Sequence, residues 1–540
     1  MMKSMKRNIL MLAAIFSAAA LNAQDLDPTV EVSRVYEGKL IDVHKPAIDM
    51  AVPDSVHRFD LDFDYSVFEN PYRGAYEFNP YYMDMKPQPS YVKPSSFYMK
   101  AGAGYTLHPM LDVLYSPDFG KPVSLDVYAH HRSYVGKYRA LSGNPQMSGY
   151  DLLSRAGADL GYEWKKAAFK VGASYYGVAA KDQFKDNDFN ALDAFVALKS
   201  KSSWPKHFMY DLKAAYRFGG EKGLQEHDFN FDASFGPSFN ETSKVFFDLG
   251  VQCGVTEGNA SSSVGNFYFV PHYIHQKKRL KMDLGLRISA TLASGHYAKA
   301  QQYVYPDLHV SYAVIKDAMR LYLHVGGGED VITYSSLLSR NHHLTQDYAF
   351  GGYLLGTAVE RVNPEIGIEG RISSFFSYDL KAGYSAMHNS PVDVLVTGGD
   401  GSLRPAFDYA SYQRCYAQLD WDLDLEAFRF SGDIAYSHVW KLPEHSTALY
   451  VAPSPLSGYG SAVYNWNKRL YAGVDCEFAL ARLKGKVPGY ADLGVELEYV
   501  LNRKLSFWLR GGNLLNMEIQ RNVLFAEKGV HFIAGICLKL

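Results

Sequence analysis

Cysteine is scarce in this chain: Cys253, Cys415, Cys476 and Cys537 are the only four in 540 residues, and they stand far apart. On alternating strands the first three share one face and Cys537 takes the other, which argues against a disulfide framework. Long apolar runs are missing too. Beyond the first two dozen residues no stretch approaches the roughly 18 apolar residues that a membrane-crossing helix needs. No long segment carries a 3.6-residue apolar period either, which removes the usual support for a multi-domain helical architecture. Charge of one sign is equally absent. Fifty-five Lys and Arg against 57 Asp and Glu leave a net charge of −2, and the cations are scattered among carboxylates, so no nucleic-acid surface is expected.

Motifs for chemistry are sparse as well. There is no Gly-x-Ser-x-Gly elbow and no His-Glu-x-x-His helix, and the chain is not read as an enzyme. Asp60, Asp62 and Asp64 alternate on a strand, which sets them about 7 Å apart, and they lack the Gly and terminal Glu of a calcium loop. Asp422, Asp424 and Glu426 repeat the pattern and are read as a wet strand face. His342-His343 in a long loop and His130-His131 at a strand end have no third ligand at a metal-binding spacing. Gly326-Gly327-Gly328 is followed by no phosphate-loop Lys and reads as a strand kink or bulge. No metal and no cofactor is expected.

What the chain does have is alternation. From Lys281 to Leu292 every even position is apolar and every odd one is charged, polar or Gly, the period-two signature of a strand with one oily and one wet face. Similar runs recur to the C-terminus, among them Phe208 to Phe218, Phe229 to Phe235, Phe376 to Tyr384, Trp421 to Leu425, Leu493 to Tyr499 and Phe532 to Leu540. The residues between their apolar positions are of mixed charge, as a lumen face would be. Mean hydropathy is only −0.20, yet aromatics make up 14% of the chain, with 41 Tyr and 31 Phe, a composition suited to interfacial girdles. The fold class is therefore all-β: a large transmembrane antiparallel β-barrel of about 20 to 22 strands over residues 96–540. Asn502-Arg503-Lys504, Gly219-Gly220-Glu221 and Lys277-Lys278-Arg279 read as short periplasmic turns. Ser335 to Phe350, Val392 to Ala410 and Leu442 to Gly458 read as longer outer loops.

The N-terminus sets the compartment. Lys3, Lys6 and Arg7 precede an apolar stretch from Ile9 to Ala20, and Ala23 offers a cleavage site before Gln24, which is a secretory signal peptide over residues 1–23. The cell outer membrane is the expected location. Residues 24–95 hold eight of the 23 prolines, which limits regular ladders, and one strand-like run, Phe59 to Val67. The tract Tyr72 to Tyr91 is crowded with aromatics, unlike a disordered linker. This segment is expected to act as a partial plug or to dock on a partner.

The stretch Leu505 to Gly512 running into Asn513-Leu514-Leu515-Asn516, with a final short strand behind it, resembles the C-terminal end of TonB-dependent receptor barrels. The Tyr-rich style and the Gln24-Asp25 start resemble outer-membrane proteins of the Bacteroidetes. The resemblance covers residues 96–540 and implies uptake of a solute across the outer membrane, with TonB as an energising partner. Asp27-Pro28-Thr29-Val30-Glu31-Val32 is similar to a TonB-contacting segment, which would add a strand to the partner's sheet. Two features depart from the family: 72 residues between cleavage site and barrel are too few for its plug, and the chain ends on Leu540 where an aromatic is common. An unfilled lumen of this size would be a wide hole. Two further functions therefore stand beside uptake. One is a membrane-embedded scaffold in an assembly, secretion or lipoprotein-export complex with periplasmic or surface lipoproteins. The other is a passive diffusion channel. In each case outer-membrane lipids surround the barrel.

Overall fold

The computed structural model describes residues 95–540, apart from 106, 121, 142–147, 182–185, 202–207, 241, 260, 295–300, 317, 399–402 and 526. The expected signal peptide, the segment up to residue 94 with its Phe59 to Val67 run and Asp60-Asp62-Asp64 face, and Asp27 to Val32 lie outside the described residues.

The described residues form twenty-three strands. The first eight are β1 (Phe97–Tyr105), β2 (Met110–Tyr115), β3 (Val123–Lys137), β4 (Ser148–Glu163), β5 (Ala167–Lys181), β6 (Asp186–Ser200), β7 (Phe208–Glu221) and β8 (Leu224–Pro237). Next come β9 (Ser243–Gly258), β10 (Ser262–Lys277), β11 (Leu280–Ser294), β12 (Gln301–Ile315), β13 (Met319–Ile332), β14 (Gly356–Ile372), β15 (Phe376–Thr397) and β16 (Leu403–Asp424). The last are β17 (Phe428–Trp440), β18 (Ala448–Tyr450), β19 (Leu456–Trp466), β20 (Leu470–Ala479), β21 (Tyr490–Val500), β22 (Leu505–Gly512) and β23 (His531–Lys539). Each barrel strand pairs antiparallel with its neighbours, and β1 pairs with β23, so the sheet closes on itself. Closure removes the free edges on which an open sheet would add further chains. The short β18 lies outside the ring: it pairs with the end of β15, while β17 pairs directly with β19. The ring therefore has 22 strands.

The alternation explains the wall. In β11, Leu284, Leu286, Ile288 and Leu292 are exposed on the outer face, whereas Asp283 and Arg287 of the opposite parity hold partners inside. Aromatic rings run in a row along the outer face of β7 to β10, where Phe208, Phe235, Phe247 and Phe269 follow one another at 6.0–6.1 Å. Cys253, Cys415 and Cys476 share the outer face, Cys537 is buried on the inner one, and all four are free.

Every connection longer than seven residues lies at one end of the ring, which also carries several short ones. Gly219, Gly220 and Glu221 are not a periplasmic-type turn but the last residues of β7, paired with Glu226, Gln225 and Leu224. The turn is Lys222-Gly223, at the long-loop end, with Gly223 at φ +81. A Cβ on Gly219 would stand 2.7 Å from the Phe189 ring, so the glycine makes room for a neighbour and does not break the strand. The segment Val392 to Ala410 is also corrected: most of it is ladder, because β15 and β16 pair on to Thr397↔Leu403. His130-His131 lie within β3 and not at its end, and Gly326 to Gly328 lie inside β13, where the register does shift between Gly326 and Gly328 as a bulge.

Candidate functional site

Large buried side chains concentrate at the long-loop end, where the connection 333–355 folds inward. Thr333 caps the helix α1 (Tyr334–Arg340): its hydroxyl accepts from Ser336 N, and the Ser336 hydroxyl accepts from Thr333 N. The reciprocal pair satisfies donors that a helix start leaves free. Tyr334, Leu337 and Leu338 fall on one face of the helix by their spacing and are all but fully buried. They pack with Phe189 of β6, Leu224 of β8, Phe407 and Tyr409 of β16, and Phe525. β6 and β16 are ten places apart in a ring of 22 strands, nearly opposite, so this cluster spans the mouth.

Polar anchors fix the cap to the wall. Glu226, fully buried, accepts from Tyr334 N at 2.5 Å and Ser335 N at 3.1 Å, placing a carboxylate against the positive end of the helix. Arg217 binds Asp193 at 2.5 Å and donates to the Ser335 hydroxyl at 2.9 Å. Asn187 accepts from Ala180 N at 2.8 Å and donates to the carbonyls of His342 and Leu344 at 2.5 and 2.7 Å. Tyr409 donates to the Leu354 carbonyl at 2.9 Å. His342 lies 3.4 Å from Asp151, and that hydrogen bond holds its imidazole above the ordinary 6.5 against the opposing effect of burial.

The connection 513–530 supplies the other half of the cap. Asn513, 1% exposed, is its fulcrum: its side chain donates to the carbonyls of Met517 and Lys528 and accepts from Met517 N, while its own N–H donates to Asp492. Asn513 and Asn516 both adopt positive φ, +45 and +50. Asn513 to Asn516 is thus a turn, one that opens a long inward loop. Further along, Arg521 bridges Glu477 at 2.9 Å and Asp492 at 2.7 Å over the Tyr490 ring. Phe525 stacks on His343 at 5.2 Å, joining the two halves. A second apolar cluster, Leu395, Val451, Val487 and Val523, draws in the connections on either side of β19 and β20.

Below the cap the inner wall is a lattice of mixed charge. Lys100 pairs with Glu496 at 3.1 Å, Lys170 with Asp159 at 2.9 Å and Arg320 with Glu369 at 2.7 Å. Asp379, Asp420 and Asp433 stand side by side in register across β15 to β17, next to a cavity of about 650 Å³ that Arg320, Arg371 and Trp421 also line. Asp422 pairs with Arg429 at 2.7 Å, Asp424 ends β16 and Glu426 lies in the turn beyond it. The two His pairs are not brought together as ligands: His130 meets Asp112, while His131 meets Ser154. Among the described residues no group of three metal-ligating side chains forms. Sequence reasoning missed Asn187, Arg217 and Glu226, whose only signal was inward parity on their strands.

Comparison with known proteins returned likeness of fold alone. No protein-family model matches the chain, and no curated protein does. Among solved structures, the FrpB iron transporter from Neisseria meningitidis superposes with a TM-score of 0.63 at 9% identity, over 83% of this chain and 81% of that one. The copper transporter OprC gives 0.60 at 10% identity over 83% and 82%, and the ferric-catecholate import receptor Fiu from E. coli K12 gives 0.59 at 8% over 83% and 82%. The protein is a closed antiparallel 22-strand barrel built like those of TonB-dependent outer-membrane transporters.

Proposed function

We propose that the protein is an outer-membrane transport barrel, carrying a solute through its lumen when the inward cap gives way, with energy supplied through TonB. The observation that carries this reading is the cap itself, a folded, anchored structure across the mouth of a barrel whose architectural counterparts include iron and copper transporters. In this reading the short turns face the periplasm and the long loops the exterior. Asp27 to Val32 would be the TonB-contacting strand, and Asn513 to Asn516 a structural hinge of the cap.

A closed mouth fits regulated passage better than free diffusion. The test is single-channel conductance in planar bilayers, paired with cross-linking of a Val30→Cys variant to TonB in cells. Low conductance of the whole chain, large conductance after removal of 334–354, and a TonB adduct support transport. High conductance of the intact chain would make it a passive channel. Stoichiometric lipoprotein partners with no TonB adduct would make it a scaffold.

A further inference from the structure

A second cavity, of about 410 Å³, lies at the seam where the barrel closes, lined by inward residues of β1 to β3, β22 and β23 and by both loops above them. Its walls divide by chemistry. Met110, Pro109, Trp508 and Ile533 make an apolar side, whose Trp508 and Ile533 are buried with Cys537 in a cluster of their own. Cations make the other side: Lys100, Arg132, Arg510 and Lys528, with Asp112 the one carboxylate among the lining residues.

These cations are unevenly compensated. Lys100 has Glu496 at 3.1 Å and Arg132 has Asp112 at 3.4 Å, but Arg510 reaches Asp475 only at 3.8 Å. Among the described residues Lys528 has no ion pair; its ammonium sits 3.2 Å from His108 Nε2 and 5.1 Å from the centre of the Tyr134 ring. His108 itself is 9% exposed, and its other ring nitrogen, Nδ1, is buried with no hydrogen-bond partner among the described residues. His531 packs against it at 5.2 Å between ring centres. Burial first, then the neighbouring Lys528 and His531, hold the His108 imidazole down at about 4. Burial also lowers Lys528, and the nearby carboxylates of Asp151 and Glu527 offset this only in part. Gathering like-charged and unpartnered groups around a space of ligand size costs stability unless an anion offsets it, and the volume lies in the usual range for small-molecule sites.

We infer that this cavity is a binding site for a small organic anion, a carboxylate or phosphate ester on a short apolar or aromatic body. The anionic head would meet Lys528, Arg510 and the free nitrogen of His108, and the body would lie against Met110, Pro109 and the edge of Trp508. A lipid headgroup does not fit, because the lining strand residues face the lumen and not the outer wall. The site stands whether or not the solute it holds is the one transported.

The test is calorimetric titration of the full protein in detergent with benzoate and phenyl phosphate, set against benzyl alcohol, benzylamine and inorganic phosphate. Saturable binding of one or both organic anions, none of the alcohol or the amine, and weaker binding of inorganic phosphate are expected. Lys528→Met should lower affinity at least about tenfold, and Lys528→Arg should keep it within about threefold. Since an anion favours protonated His108, binding near pH 5.5 should also take up protons, seen as a dependence of the heat on the buffer's ionisation enthalpy. Tyr134, Lys528 and His531 pack against that imidazole, with Asp112 and Arg132 lining the same cavity, and His108→Gln should abolish the uptake. No saturable binding to the intact protein, or equal binding by Lys528→Met that still migrates as a folded barrel, would overturn the site. Inorganic phosphate binding as tightly as phenyl phosphate would overturn the organic body.

Discussion

The wall and the cap are held together by different physics. In the wall each residue's environment follows from its parity: the ladder supplies the hydrogen bonds, the outer face is apolar, and the inner face pairs its own charges. In the cap, parity means nothing. Its side chains are buried because loops far apart in sequence meet, and its polar groups are satisfied one at a time, by Glu226 under a helix start or Asn187 under two carbonyls. A barrel can thus keep its frame while its mouth changes state, because the frame's own hydrogen bonds run from strand to strand and none of them passes through the anchors that hold the cap.

The sharpest way to break that separation is Tyr334→Ala. Loss of a fully buried aromatic is expected to cost the cap about 3–5 kcal/mol, read as faster hydrogen exchange across 333–355 with the strands unchanged; loss of protection in β6 to β8 as well would make wall and cap one cooperative unit. Leu286→Arg addresses the wall. A cation at mid-height of a lipid face costs about 2–4 kcal/mol, so the denaturation midpoint in lipid should fall while cap exchange stays as it was. Glu226→Gln comes next: it weakens the acceptor of two buried N–H groups, at about 1–3 kcal/mol, and should raise conductance without changing the barrel's folded migration.

The smallest effect is expected from pH. His342 has its ionisation raised by Asp151, so its contribution to the cap is fully present below about 6.5 and is lost as pH rises through the folded value. Protection of 333–355 should therefore decline as pH rises above about 6.5, and His342→Gln should flatten the decline. An unchanged profile in that variant would assign the pH response to other groups.

How far the sequence could be read follows the same division. The strict alternation of β11, the mixed charge of the inner face, the even ring within the expected 20 to 22 strands and the separation of the four cysteines were all legible, because each rests on the period of two alone. Gly219 and Gly220 misled because consecutive glycines signal a turn, whereas here Gly219 makes space for Phe189 and Gly220 for the backbone of Leu224 on β8. Val392 to Ala410 misled because its composition is loop-like, yet a long hairpin arm needs only a partner strand, and β15 and β16 supply each other.

By itself, then, the sequence determined the class of architecture, since a chain that alternates over most of its length without a helical span can cross a membrane only as a closed sheet. It did not determine the cap or the cationic seam cavity. His108 lies hundreds of residues from Trp508 and Lys528 and meets them only when β1 pairs with β23; Phe189, Tyr334, Phe407 and Phe525 meet only when loops cross the mouth of the finished ring. Such contacts depend on closure and on where each loop turns inward, and no local period records either.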